Sequence, residues 1–105
     1  MDMPSKKPPI TAFLRRVRMA VAAKRIRFSD YARDRAREDL GWDLSDISEQ
    51  LVHLTTDDFF RRESSTDQPW EDIWTFTPPL LEDDGFLWIR LVERDGVLVV
   101  SFHRG

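Results

Sequence analysis

The dipeptide Asp95-Gly96 constrains this chain more than any other feature. It separates two alternating apolar runs, residues 86–94 and 97–104. Asp-Gly suits the left-handed backbone of a two-residue β-hairpin turn, so the C-terminus is predicted to be an antiparallel strand pair. Such a turn sets Arg94 opposite Val97, Leu91 opposite Val100, Arg90 opposite Ser101, Ile89 opposite Phe102 and Trp88 opposite His103. Directly opposed residues share a sheet face. One face then holds Leu87, Ile89, Leu91, Leu98, Val100 and Phe102, and is expected to be core. The other gathers Trp88, Arg90, Ser101 and His103 near one strand end, with Val92 and Val99 nearer the turn. A stacking surface, a guanidinium, a hydroxyl and a titratable imidazole on one face suit a base, a phosphate and a proton transfer. The competing assignment is an ordinary solvent-facing sheet surface.

Ahead of the hairpin, residues 70–77 are aromatic and β-branched and are expected to form a third strand. Glu71, Ile73 and Thr75 alternate with Asp72, Trp74 and Phe76, and either set can face water. Trp70 and Trp74 are expected in core or rim packing. Pro78-Pro79 ends this strand, and Glu82-Asp83-Asp84-Gly85 is a turn cluster.

The period changes upstream. Ile10, Phe13, Leu14, Val17 and Val21 recur at helical spacing, with Thr11 as a candidate cap. Residues 24–28 alternate and predict a short edge strand. Ser29-Asp30 opens a second helix with an apolar stripe of Tyr31, Ala32, Ala36 and Leu40, and Gly41 suits its end. A third helix is expected from Leu44-Ser45-Asp46, with Ser45 as cap and Ile47, Leu51 and Leu54 facing the core. His53 is expected to be partly buried there. Thr56-Asp57-Asp58 starts a short turn containing Phe59 and Phe60, and residues 63–69 read as a polar loop. The order is helix, short strand, two helices, three antiparallel strands. This is an α+β domain, with N-terminal helices packed on a small antiparallel sheet ending in a β-hairpin.

Composition narrows the function classes. With 105 residues the chain makes one domain, expected over residues 10–105 behind a loose, proline-bearing tail at 1–9. A hydrophobic content of 41% argues against disorder. Zero cysteines exclude a disulfide scaffold, a thiolate zinc site and a cysteine nucleophile, and with only two histidines no metal or other cofactor is expected. No apolar run reaches the ~18–20 residues of a membrane span, and no export signal is evident, so the cytoplasm is the expected compartment. Charge is divided unevenly: the first 40 residues carry 11 Lys/Arg against 5 Asp/Glu, the rest 5 against 14. A basic half attracts polyanions even in an acidic protein. Arg15, Arg16 and Arg18 are candidates for a nucleic-acid backbone, for an acidic protein partner, or for a solvated helix face.

Four collinear segments are Asp58-Phe59-Phe60-Arg61, Trp70-Glu71-Asp72-Ile73-Trp74, Leu87-Trp88-Ile89-Arg90-Leu91 and Val97-Leu98-Val99-Val100-Ser101-Phe102-His103. Together they resemble the MqsR family of bacterial mRNA-interferase toxins, whose pattern reads approximately DFYK, WQDVY, VYLKI and VLIVSFK. Leu40-Gly41-Trp42-Asp43 is similar to the family's Leu-Gly-Leu-Asp, and most of residues 8–104 is covered in order.

The resemblance implies a RelE-like ribonuclease fold and a cognate antitoxin. It also implies metal-independent cleavage of single-stranded mRNA, in which the RNA's 2′-hydroxyl attacks the adjacent phosphorus. By the same resemblance, the family's site positions fall on Arg61, Glu71, Trp88, Arg90 and His103. Each is substituted: Lys by Arg61, Gln by Glu71, Tyr by Trp88, Lys by Arg90 and Lys by His103. One account redistributes the chemistry. Glu71 takes the 2′-hydroxyl proton, His103 donates to the leaving 5′-oxygen, Arg61 and Arg90 hold the phosphate, and Trp88 stacks a base. Ser101 and Arg104 then join Arg90 as RNA contacts. The other account keeps the fold as an RNA- or protein-binding module with little or no catalysis.

Overall fold

The computed structural model describes residues 7–80 and 84–105. Its elements are α1 (Lys7–Ala22), β1 (Ile26–Phe28), α2 (Asp30–Leu40), α3 (Leu44–Val52), β2 (Phe59–Ser64), β3 (Asp72–Phe76), β4 (Leu87–Glu93) and β5 (Val97–Arg104). A single 3-10 turn, Thr56–Asp58, precedes β2. The sheet order is β1-β5-β4-β3-β2. The β1–β5 pair is parallel and the other pairs are antiparallel, so this α+β fold carries a mixed sheet and is compatible with the RelE-like toxin fold. Among the described residues no helix is long and apolar enough to cross a membrane.

Helix α1 starts at Lys7, three residues before the expected domain boundary and four before Thr11. Prolines fit a first helical turn because its N–H groups have no intrahelical acceptor. The rest of the expected tail, residues 1–6, lies outside the described residues. Ile10, Phe13, Leu14 and Val17 are buried as the spacing predicts, while Val21 is only partly so. Phe13 lies flat on Trp74, with ring centroids 4.1 Å apart, and 6.0 Å from the Phe76 ring. That stack fixes α1 to the face of β3 bearing Trp74 and Phe76.

Helix α2 is capped at both ends as the sequence predicts. Ser29 Oγ accepts from the Ala32 N–H at 3.0 Å, and Gly41 ends the helix at φ 70°. The same Ser29 binds β5: its N–H donates to the Val99 carbonyl and its hydroxyl to the Val100 carbonyl. Ala32 and Ala36 are buried, whereas Tyr31, expected in the stripe, is 50% exposed. Helix α3 is capped by Asp43, not Ser45. Asp43 accepts from the Asp46 N–H at 2.9 Å, and Asp46 accepts from the Asp43 N–H at 3.0 Å. This reciprocal box satisfies two terminal donors.

Three corrections concern the sheet. Phe59, Phe60 and residues 61–64 form edge strand β2 rather than turn and loop, with a bulge at Phe60. The hairpin loop has three residues, because Glu93 pairs with Val97. Farther out the predicted register holds: Arg90 faces Ser101, Ile89 faces Phe102 and Trp88 faces His103. A bulge between these stretches absorbs the extra residue on β5. It reverses the faces near the turn, so Val97 and Val99 are core and Leu98 and Val100 only half-buried. The expected strand at 70–77 begins at Asp72 instead, which leaves Trp70 81% exposed. The predicted turn cluster lies partly outside the described residues. Across it, Pro79 and Phe86 form an isolated bridge and the Leu80 N–H donates to the Gly85 carbonyl.

Two predictions follow from this packing. Phe13→Ala should cost about 3–5 kcal/mol of unfolding free energy in a denaturant titration, because the stacked ring leaves a cavity. Gly96→Ala should also destabilise. Gly96 has φ 104°, and a Cβ there would meet the Arg25 carbonyl oxygen, which accepts the Val97 N–H. Strain and the displaced β1 strand together should cost more than ~1 kcal/mol, read as a lowered denaturation midpoint at unchanged slope.

Candidate functional site

With α1 stacked on one side of the sheet, the polar residues of β2–β5 gather on the other. The pairing Arg61↔Thr75, Thr75↔Arg90 and Arg90↔Ser101 runs across four strands and makes one continuous row. Two residues along β4 and β5, Trp88 pairs with His103. Arg61, Trp88, Arg90, Ser101 and His103 therefore share this face, on which Ser101 is itself buried at 6% exposure.

Aromatic rings border this row. The bulge at Phe60 turns its ring, 52% exposed, to within 5.6 Å of the Trp88 ring. The Arg61 guanidinium lies 5.4 Å from the Phe60 ring centre and 5.9 Å from that of Trp88. At the other side Tyr31 meets His103 edge-on, with centroids 6.0 Å apart. His103 Nδ1 donates to the Arg104 carbonyl oxygen at 2.6 Å. Because a carbonyl only accepts, this bond places the proton on Nδ1, and the neutral imidazole keeps Nε2 as its acceptor.

Glu63, assigned to a loop by its sequence, supplies the carboxylate of this face. Its Oε1 lies 3.3 Å from Arg61 Nε and 3.3 Å from Arg90 Nη2. Both contacts are long for charge-assisted bonds; the Arg61 pair is exposed, a kind that contributes only ~0–1 kcal/mol, and the Arg90 pair is part-buried. Beneath them Thr75 is fully buried, and its Oγ1 has no hydrogen-bond partner among the described residues. Arg90 Nε is likewise enclosed without a partner. An unsatisfied buried polar atom costs ~1–3 kcal/mol.

The remaining predicted residues lie elsewhere. Glu71 is held by Arg94 through two hydrogen bonds, at 2.6 and 2.9 Å, and does not meet His103. Arg94 is six residues along the hairpin from Trp88, about 20 Å at ~3.3 Å per residue. Glu71 lines a separate cavity of about 450 Å³ with Arg16, Arg62 and Trp70. Arg16 is engaged by Glu93 at 2.7 and 2.8 Å, and exposed Arg15 and Arg18 sit on α1, across the sheet from His103. The Arg104 N–H donates to Asp39 at 3.3 Å. His53 is exposed rather than partly buried; it caps α3 and lines a cavity of about 530 Å³ with Asp39, Trp42, Asp58 and Arg104.

The Arg94 hydrogen bonds hold the Glu71 carboxyl below its ordinary range, against an opposing effect of burial. A lowered folded-state pKa stabilises above the unfolded value of ~4.3, and that stability is lost as pH falls through the folded value. Glu71→Gln should therefore melt below the wild type at pH 7, and the gap should narrow below about pH 4 as the wild-type carboxylate protonates.

A comparison with curated proteins gave no match. Residues 9–104 match the family described as "Motility quorum-sensing regulator, toxin of MqsA". With nearly the whole chain covered, the protein belongs to the MqsR toxin family, the toxin side of a toxin–antitoxin pair.

Proposed function

We propose that this toxin is an endoribonuclease that cuts single-stranded mRNA by attack of the RNA's own 2′-hydroxyl, without a metal ion. The observation that carries the proposal is His103. Its ring is oriented by the Arg104 carbonyl and shares an uncovered sheet face with Arg61, Arg90 and Trp88.

The roles follow from the chemistry. Arg61 and Arg90 hold the phosphate and offset the charge that grows on its oxygens. Trp88, with Phe60 beside it, stacks a base. The 2′-oxygen bonds to phosphorus as the bond to the 5′-oxygen breaks. The 2′-hydroxyl proton leaves to water, and His103 Nε2–H, in the imidazolium form, donates to the departing 5′-oxygen. The products are a 2′,3′-cyclic phosphate and a 5′-hydroxyl end. Glu71, engaged by Arg94, takes no part in proton transfer, and Arg15, Arg16 and Arg18 lie outside the RNA path. Cytoplasmic action and a cognate antitoxin protein as the controlling partner complete the proposal.

An RNA- or protein-binding module with little or no catalysis is the competing assignment, and Glu63 favours it, because a carboxylate between the two arginines weakens their hold on a scissile phosphate. Incubation of purified protein with end-labelled RNA in EDTA separates the two. Wild type should give discrete fragments with 5′-hydroxyl ends, and His103→Ala should cut ~10²–10⁴-fold more slowly. Intact RNA with wild type, in the presence and absence of translating ribosomes, overturns the nuclease assignment in favour of the binding module.

A further inference from the structure

We infer that Glu63 is an internal stand-in for the RNA phosphate. It occupies the Arg61–Arg90 pair in the free protein and is displaced when a phosphodiester arrives. The inference rests on the RNA-binding assignment above and concerns how that site is held closed.

Three observations converge on it. One oxygen of Glu63 lies 3.3 Å from donors of both arginines, which sit on strands β2 and β4 with β3 between them. A single acceptor atom shared between two guanidiniums leaves most of their donors unused, since each guanidinium carries several. Between the arginines, Thr75 is 0% exposed and its hydroxyl has no partner, and Arg90 Nε is enclosed and equally unmet. A fold keeps unmet buried donors only at a cost, and here two of them lie in one cross-strand pair beneath a carboxylate.

A phosphodiester fits this arrangement better than the carboxylate does. Its two non-bridging oxygens accept the fork geometry of both guanidiniums and still have lone pairs for the Thr75 hydroxyl. Glu63 stands on edge strand β2 and is about one-third exposed, so its side chain has open solvent to move into. Its two contacts are long, that to Arg61 on the exposed side and that to Arg90 part-buried, and neither has the short geometry of a strong charge-assisted bond. Exchange of Glu63 for phosphate thus replaces weak contacts with stronger ones. RNA must compete with an internal anion, so weakly held polyanions are refused.

The test is anisotropy of a labelled, single-stranded 2′-O-methyl oligonucleotide, which binds but lacks the attacking hydroxyl. Glu63→Gln keeps the side-chain shape and should bind ~3–10-fold tighter than wild type, the range set by losing a weak competing ion pair. Thr75→Val keeps the β-branched shape and should bind ~3–10-fold weaker, through loss of one hydrogen bond to a charged group. Both variants should melt close to wild type. Glu49→Gln, an exposed carboxylate on α3, controls for net charge and should leave binding unchanged. If wild type binds and Glu63→Gln binds no tighter, or Glu49→Gln tightens as much, the stand-in is wrong and the RNA assignment survives. If neither wild type nor Glu63→Gln binds the oligonucleotide, the RNA assignment falls and the stand-in with it.

Discussion

Phe13 lying flat on Trp74 decides which side of the sheet is inside. Once α1 is fixed there, Trp74, Phe76, Ile89, Leu91 and Phe102 join its apolar stripe in one cluster. Alternation along each strand then turns Thr75, Trp88, Arg90, Ser101 and His103 to the other side. Helix α2 does not cover that side. Ser29 ties it to the backbone of β5, where its buried alanines pack, and Tyr31 reaches His103 only at the border. The open face thus follows from where the helices are anchored.

Two bulges shape that face, and each has a local purpose. On β2 the extra residue is Phe60, which lets Phe59 join the core while Phe60 turns toward Trp88. On β5 the ladder shifts beside Val100, whose carbonyl takes the Ser29 hydroxyl. The second bulge allows a three-residue loop at Asp95-Gly96 while Ser101 and His103 stay level with Arg90 and Trp88. Without it, one added loop residue would send the imidazole to the core face.

The sequence exposed the parts of this fold that depend on short-range chemistry. Ser29 and Gly41 bound α2, Asp95-Gly96 marked the hairpin, and helical spacing named the residues of α1 that stack on the sheet. Strand β2 escaped because Phe59-Phe60-Arg61-Arg62-Glu63-Ser64 does not alternate: a bulge breaks its period, and an edge strand has little apolar demand. Glu63 escaped with it, although a carboxylate two residues after a cation within an extended segment was a usable signal. Glu71 was misplaced for a tertiary reason. The strand starts two residues later than expected, just after Glu71, and Arg94 of the longer hairpin loop binds it. The collinear segments pointed to the toxin family, and the match over residues 9–104 agrees.

Glu63 and Glu71 illustrate why charge type alone does not identify a site. Both are glutamates beside arginines, close together in the β2–β3 ladder, where Glu63 pairs with Ile73 and the Glu71 carbonyl accepts the Ser65 N–H. Glu71 receives two hydrogen bonds from a single guanidinium, the shorter at 2.6 Å, and its side chain is only 10% exposed. Short, paired contacts of that kind fix a carboxylate in place. Glu63 divides one oxygen between two arginines at 3.3 Å, is 36% exposed, and lies over buried donors that remain unmet. Contacts that long do not offset leaving Thr75 Oγ1 and Arg90 Nε unsatisfied. The exchange proposed for Glu63 gives those two donors a partner.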